Sequence, residues 1–74
     1  ETMALLRLLK QQQIWLMAED PTIDGFNIGF NAGFSAGQTV PHAHCHLIPR
    51  RLGDVDDPIG GIRNVIPGKG NYKL

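Results

Sequence analysis

The chain has 74 residues, 42% of them hydrophobic and 19% charged, a balance that fits an ordinary globular domain and excludes a disordered charged tail. Seven lysines and arginines offset seven aspartates and glutamates, so no long-range field recruits nucleic acid or an anionic membrane. A domain this small buries only about 60% of the surface its unfolded chain would expose, and one cysteine cannot close an internal disulfide. That lone thiol fits a reducing, cytoplasmic setting, and no apolar run approaches the roughly 20 residues that span a bilayer.

Residues 1–19 read as a helix, with Leu5, Leu8, Leu9 and Leu16 recurring at the helical period over residues 2–18. Arg7 and Lys10 interrupt the apolar stretch, which does not read as a signal peptide. The chain opens inside this pattern without an initiating methionine, and the expectation is a fragment of a longer protein. Ile14-Trp15-Leu16-Met17 is apolar all round, as expected of a helix end set into a core; the alternative is a partner subunit against Trp15. Asp20-Pro21 ends the helix, since proline disfavours helical geometry in the residue before it.

After the Asp24-Gly25 turn, Phe26, Ile28 and Phe30 alternate with Asn27, Gly29 and Asn31. This is the period of a half-buried strand, with the apolar set expected on the core side. A small-residue loop around Gly33 and Gly37 leads to a second strand, expected from about Thr39 to Ile48, so that residues 25–48 form a hairpin. Pro41 lacks an amide hydrogen and implies an unpaired edge or a bulge. Residues 49–74 are rich in glycine, proline and aspartate and form an extended tail draped on a neighbouring surface. Only Ile62-Arg63-Asn64-Val65-Ile66 suggests a short extended piece within it. The class is α+β, one domain over 1–74, and its two-stranded sheet is too small to stand unaided.

All three histidines of the chain, His42, His44 and His46, fall at alternate positions. On a strand they would share one face, with Ala43, Cys45 and Leu47 on the other. Such a row has three readings. Polar residues on a solvent face need no function, but strict alternation of every histidine argues against chance. A metal site is disfavoured because residues i and i+4 of a strand lie about 13 Å apart, too far for His42 and His46 to share an ion easily. Phosphate chemistry uses more of the segment. A neutral imidazole is a competent nucleophile at neutral pH. Asn31 and Gly37-Gln38-Thr39 offer amide, hydroxyl and backbone donors to phosphoryl oxygens.

His-Ala-His-Cys-His-Leu-Ile over residues 42–48 resembles the signature of the histidine-triad (HIT) superfamily of nucleotide hydrolases and transferases. Asp24-Gly-Phe-Asn-Ile-Gly-Phe-Asn-Ala-Gly, Ala36-Gly-Gln-Thr-Val and the run from Pro49 to Arg63 are similar to the branch of bacterial diadenosine polyphosphate hydrolases. The resemblance covers about residues 24–73 and implies an antiparallel HIT-like sheet with one helix, here as the C-terminal half of the domain with a long tail. It implies that His44 is the nucleophile, attacking the α-phosphorus of a dinucleoside polyphosphate or related nucleotidyl conjugate to form a nucleotidyl-histidine that water hydrolyses. His42 would hold the ring of His44, chiefly through its backbone carbonyl. His46 would contact the scissile phosphate and assist the leaving group, while Asn31, Gly37, Gln38, Thr39 and Val40 would bind the phosphates. No cofactor is implied, although magnesium would arrive with a polyphosphate. A homodimer or swapped assembly is expected to cover what the missing half would. Cys45 replaces a commoner larger aliphatic residue, and Asn64 stands where an aromatic is frequent. The alternative to a hydrolase is a catalytically silent nucleotide- or phosphate-binding module that works through association.

Overall fold

A computed structural model describes residues 2–70 of the chain. It contains helix α1 (Thr2–Glu19) and strands β1 (Gly25–Phe30) and β2 (Cys45–Arg50), with 3-10 turns at Phe34–Ala36 and Gly61–Val65. β1 and β2 pair as a two-stranded antiparallel sheet. The arrangement is α+β, as the sequence pattern indicates, and is consistent with the partial HIT-like domain that the resemblance implies. Among the described residues no helix is long and apolar enough to cross a membrane. The chain divides into two compact units, one made of residues up to Phe26 with Pro49–Asp56, the other of Asn27–Ile48 with the residues from Asp57 onward.

In the first unit α1 turns Leu5, Leu9, Gln13 and Leu16 inward to half-buried positions, a narrower stripe than the leucine spacing predicts. Leu8 is exposed. Ile14, Trp15 and Met17 are also exposed, at 60%, 58% and 47%, so the apolar turn is not a helix end set in a core. Only Leu16 of that turn faces the interior, because a single α-helix can present just one stripe to the little surface available to it. The helix closes with the Asp20 N–H donating to the Leu16 carbonyl at 2.8 Å. Ile23, 3% exposed, is the one buried apolar side chain among the described residues.

Polar contacts hold the same unit. Asp20 accepts from the Thr22 N–H at 3.0 Å, from the Thr22 hydroxyl and from Arg51 Nη2 at 2.6 Å. Arg51 Nε also donates to Thr22 Oγ1 at 3.1 Å. Arg50 grips Asp54 through Nε and Nη2, both at 2.8 Å, in the planar fork that suits a carboxylate. The Asp24 N–H donates to the Arg50 carbonyl at 3.1 Å, which fastens the start of β1 to the end of β2.

In the second unit the strand boundaries and the covered face differ from expectation. β2 begins at Cys45 and runs to Arg50, so of the three histidines only His46 lies on a strand. Pro41 cannot donate to a ladder, and residues 38–44 are irregular. Pro49 is tolerated because β2 has no further partner in this two-stranded sheet. On β1 the apolar residues Ile28 and Phe30 are exposed, whereas Asn27 and Gly29 are half-buried. The Gly61–Val65 turn lies on the Asn27–Gly29 side: a Cβ at Gly29 would make an ordinary contact of 3.5 Å with Ile62 Cδ1, and one at Gly61 would lie 3.4 Å from Asn27 Nδ2.

Residues 62–66 are thus not the extended piece that their composition suggests. Gly60 and Gly61 adopt positive φ values of 95° and 52°, which start a tight turn that a β-branched residue would resist. The Arg63 N–H donates to the Gly60 carbonyl at 3.0 Å, and Asn64 Nδ2 donates to the Ile59 carbonyl at 3.0 Å. The tail beyond residue 70 lies outside the described residues.

Candidate active site

The segment between the strands is built by hydrogen bonds rather than by apolar packing. Phe34–Ala36 forms a 3-10 turn closed by Gly37 in the left-handed region, φ 89° and ψ 12°, with the Gly37 N–H donating to the Phe34 carbonyl at 2.9 Å. The Ala36 and Gln38 N–H groups both donate to the Gly33 carbonyl at 3.1 Å. The Gln38 side chain turns back so that Oε1 accepts from the Gly33 N–H at 2.7 Å. A Cβ at Gly37 would lie 3.9 Å from Asn31 Nδ2, which sets the end of β1 beside this loop. From there the chain passes Thr39 and Val40 and reaches the histidines.

The fold brings all eight residues singled out from the sequence to one place. Asn31, Gly37, Gln38, Thr39, Val40, His42, His44 and His46 line a single cavity of about 130 Å³. Although the row of imidazoles is not a continuous strand, its members still converge there. That volume holds a phosphate-sized group. It falls below the roughly 300–1,000 Å³ of sites that enclose a drug-sized ligand. The lining contains neutral donors and imidazoles, with no lysine, arginine or carboxylate. Among the described residues no group of three or more His, Cys, Asp or Glu is placed to hold a metal ion.

One part of the expected donor set is spent elsewhere. The backbone N–H groups of Gly37 and Gln38, which the glycine-rich approach suggested for a phosphate, are bonded to the Phe34 and Gly33 carbonyls. The side chains of Asn31, Gln38 and Thr39 remain as donors at this loop, beside the backbone of Thr39 and Val40 in the same lining. A glycine before a polar run signals backbone donors only when the local turn does not consume them, and sequence does not reveal that.

A second, larger cavity of about 710 Å³ adjoins the first and shares Asn31 and His46 with it. Ile28, Phe30 and Ile48 of the strands and Ile62, Val65 and Ile66 of the tail supply its apolar lining. Sequence reasoning set Ile28 and Phe30 on the core side and gave Ile48 and the tail residues no part in a site. The alternation in β1 was the available signal, read for the wrong side.

Residues 2–53 match a family model described as the HIT domain. No curated protein and no solved structure matches the chain.

Proposed function

The chain belongs to the HIT-domain family, and from that premise we propose that it is a nucleotide hydrolase of the histidine-triad type, corresponding to the C-terminal half of the domain and similar to the branch of bacterial diadenosine polyphosphate hydrolases. His44 attacks the α-phosphorus of a dinucleoside polyphosphate or related nucleotidyl conjugate. A P–N bond to the imidazole forms as the P–O or P–N bond to the leaving group breaks, and His46 gives the departing atom its proton. His42 holds the His44 ring. Water then attacks phosphorus and gives its proton to His46, and the P–N bond breaks, which releases the nucleoside monophosphate and restores both His44 and His46. Asn31, Gln38 and Thr39 donate to the phosphoryl oxygens, whose charge grows towards the transition state.

The observation that carries this reading is the convergence of the triad and the phosphate-approach residues on one cavity of about 130 Å³. The adjoining apolar space of about 710 Å³ lies within the range of an organic ligand site and supports an organic group on the phosphorus. The experiment is to incubate the chain with a diadenosine polyphosphate and with an adenosine phosphoramidate, then weigh acid-free quenched samples for protein-bound nucleotide. We expect release of AMP and a transient adduct on His44. His44→Ala should abolish both, with turnover down at least about a thousandfold, as loss of a nucleophile costs. Saturable AMP binding without turnover in the unmodified chain would instead identify a binding module.

A further inference from the structure

We propose that Gly33 is a positioning residue for the phosphate site, acting through the side-chain amide of Gln38; this rests on the phosphate reading given above. Gly33 has φ 94° and ψ 159°, a region open essentially to glycine alone. Space does not explain the glycine, because a Cβ at this position would meet nothing within 4 Å. What the missing Cβ permits is the backbone conformation itself.

In that conformation Gly33 and Gln38 hold each other twice. The Gly33 N–H donates to Gln38 Oε1 at 2.7 Å, and the Gln38 N–H donates to the Gly33 carbonyl at 3.1 Å. An amide side chain has two ends of similar shape and opposite function. A backbone N–H can only donate, so the atom facing Gly33 must be the oxygen. The Nε2 group and its two hydrogens are thereby fixed on the opposite branch, and Gln38 lines the histidine cavity. An ionised phosphoryl oxygen only accepts hydrogen bonds, so an amide locked as a donor complements it. An amide free to flip would spend part of its time presenting oxygen to an anion. Gly33 thus sets the polarity of Gln38 without touching the substrate.

The test is a double-mutant cycle read by AMP titration of isotope-labelled protein, with the exchange rate of the Gly33 amide proton as a readout that needs no ligand. Gly33→Ala and Gln38→Ala should each raise the AMP dissociation constant about tenfold, in line with loss of a hydrogen bond to a charged group. The double variant should be no worse than either single one, since residues acting as one unit are non-additive. Gln38→Glu keeps the accepting oxygen and loses the donor. It should leave the Gly33 amide slow to exchange while weakening AMP binding by more than tenfold. If Gly33→Ala fails to fold, the Gln38→Glu pair of readouts decides alone. Additive losses, or a Gly33 amide that exchanges as fast as an open loop in the unmodified protein, overturn the role of Gly33. Unmodified protein that keeps its Gly33 amide protected yet binds no AMP overturns the phosphate reading instead, and the role assigned to Gly33 goes with it.

Discussion

His46 is the one member of the histidine row that lies on a strand, and it borders both cavities. That position suits a group between the reacting phosphate and whatever leaves it, and the proposed role is that of general acid. General acids contribute about 10²–10⁴-fold, and the contribution shrinks when the leaving group needs no proton. His46→Ala should therefore slow release of an alkylamine from an adenosine phosphoramidate by about that factor. It should slow release of p-nitrophenol from a p-nitrophenyl AMP ester far less. Equal losses on the two substrates would remove His46 from proton transfer and leave it only a binding role. At this scale the sequence was most legible in which side chains gather at one cavity. Asn31, the triad and the residues between them are close in sequence, so one loop and one strand suffice to gather them. Gly33 was not legible, because its contribution is a backbone conformation with no side chain to mark it.

At the scale of elements, α1 was readable from its leucine period and from Asp20-Pro21, and its bounds agree with the observed Thr2–Glu19. β2 was not, because alternation of histidines imitates a strand upstream of where hydrogen bonding begins. The covered face of β1 was misread because hydrophobicity was allowed to decide it. The Gly61–Val65 turn covers the Asn27–Gly29 side instead, where a Cβ at Gly29 would already touch Ile62. That packing is testable. Gly29→Leu extends a side chain beyond the 3.5 Å contact that a Cβ alone would make with Ile62, so it should push the Gly61–Val65 turn away. Overpacking of this kind costs about 1–3 kcal/mol. The expected signs are faster amide exchange in residues 61–65 and an earlier thermal midpoint, with the histidine signals unmoved; unchanged exchange there would mean that the turn does not rest on Gly29.

The carboxylates beside the arginines give the first unit a pH dependence. Hydrogen bonds from the Thr22 hydroxyl, from Arg51 and from the Thr22 N–H lower the pKa of Asp20 to about 2. Arg50 and the Arg51 N–H hold Asp54 lower still. An unfolded aspartate titrates near 3.9. Each group is lowered on folding, so its stabilisation is fully present above about pH 4 and is lost as pH falls through the folded value. Both groups are exposed and screened by solvent, so the effect is small. Helix melts followed by circular dichroism should show a midpoint falling by a few degrees between pH 4 and pH 2 at low salt. Asp20→Asn should start lower and fall less. A midpoint flat across that interval would show that these contacts do not hold the end of the helix.

For the whole molecule, the decisive quantity is how little apolar surface one copy covers. Ile23 alone is buried among the described side chains, while Leu6, Leu8, Ile14 and Trp15 on α1 and Phe30 and Ile48 on the strands are each more than half exposed. Full burial of a large aliphatic side chain contributes about 1.5–3 kcal/mol, so one such residue cannot offset the ordering of a chain this long. The two-stranded sheet adds to the problem, because a sheet of that size is marginal in water on its own. Association of two copies through α1 and the strand edges, in a closed two-fold arrangement, would meet both deficits, and that is the prediction. The expected result is a light-scattering mass twice the 8.1 kDa of the chain at micromolar concentration. Trp15, 58% exposed and the only tryptophan, reports the same event. Its emission should move to longer wavelength on dilution, and Trp15→Glu should shift the population towards monomer with loss of helical signal. A monomeric mass together with an intact helix in the unmodified protein would mean that one copy holds itself together, and the exposed face of α1 would then need another explanation.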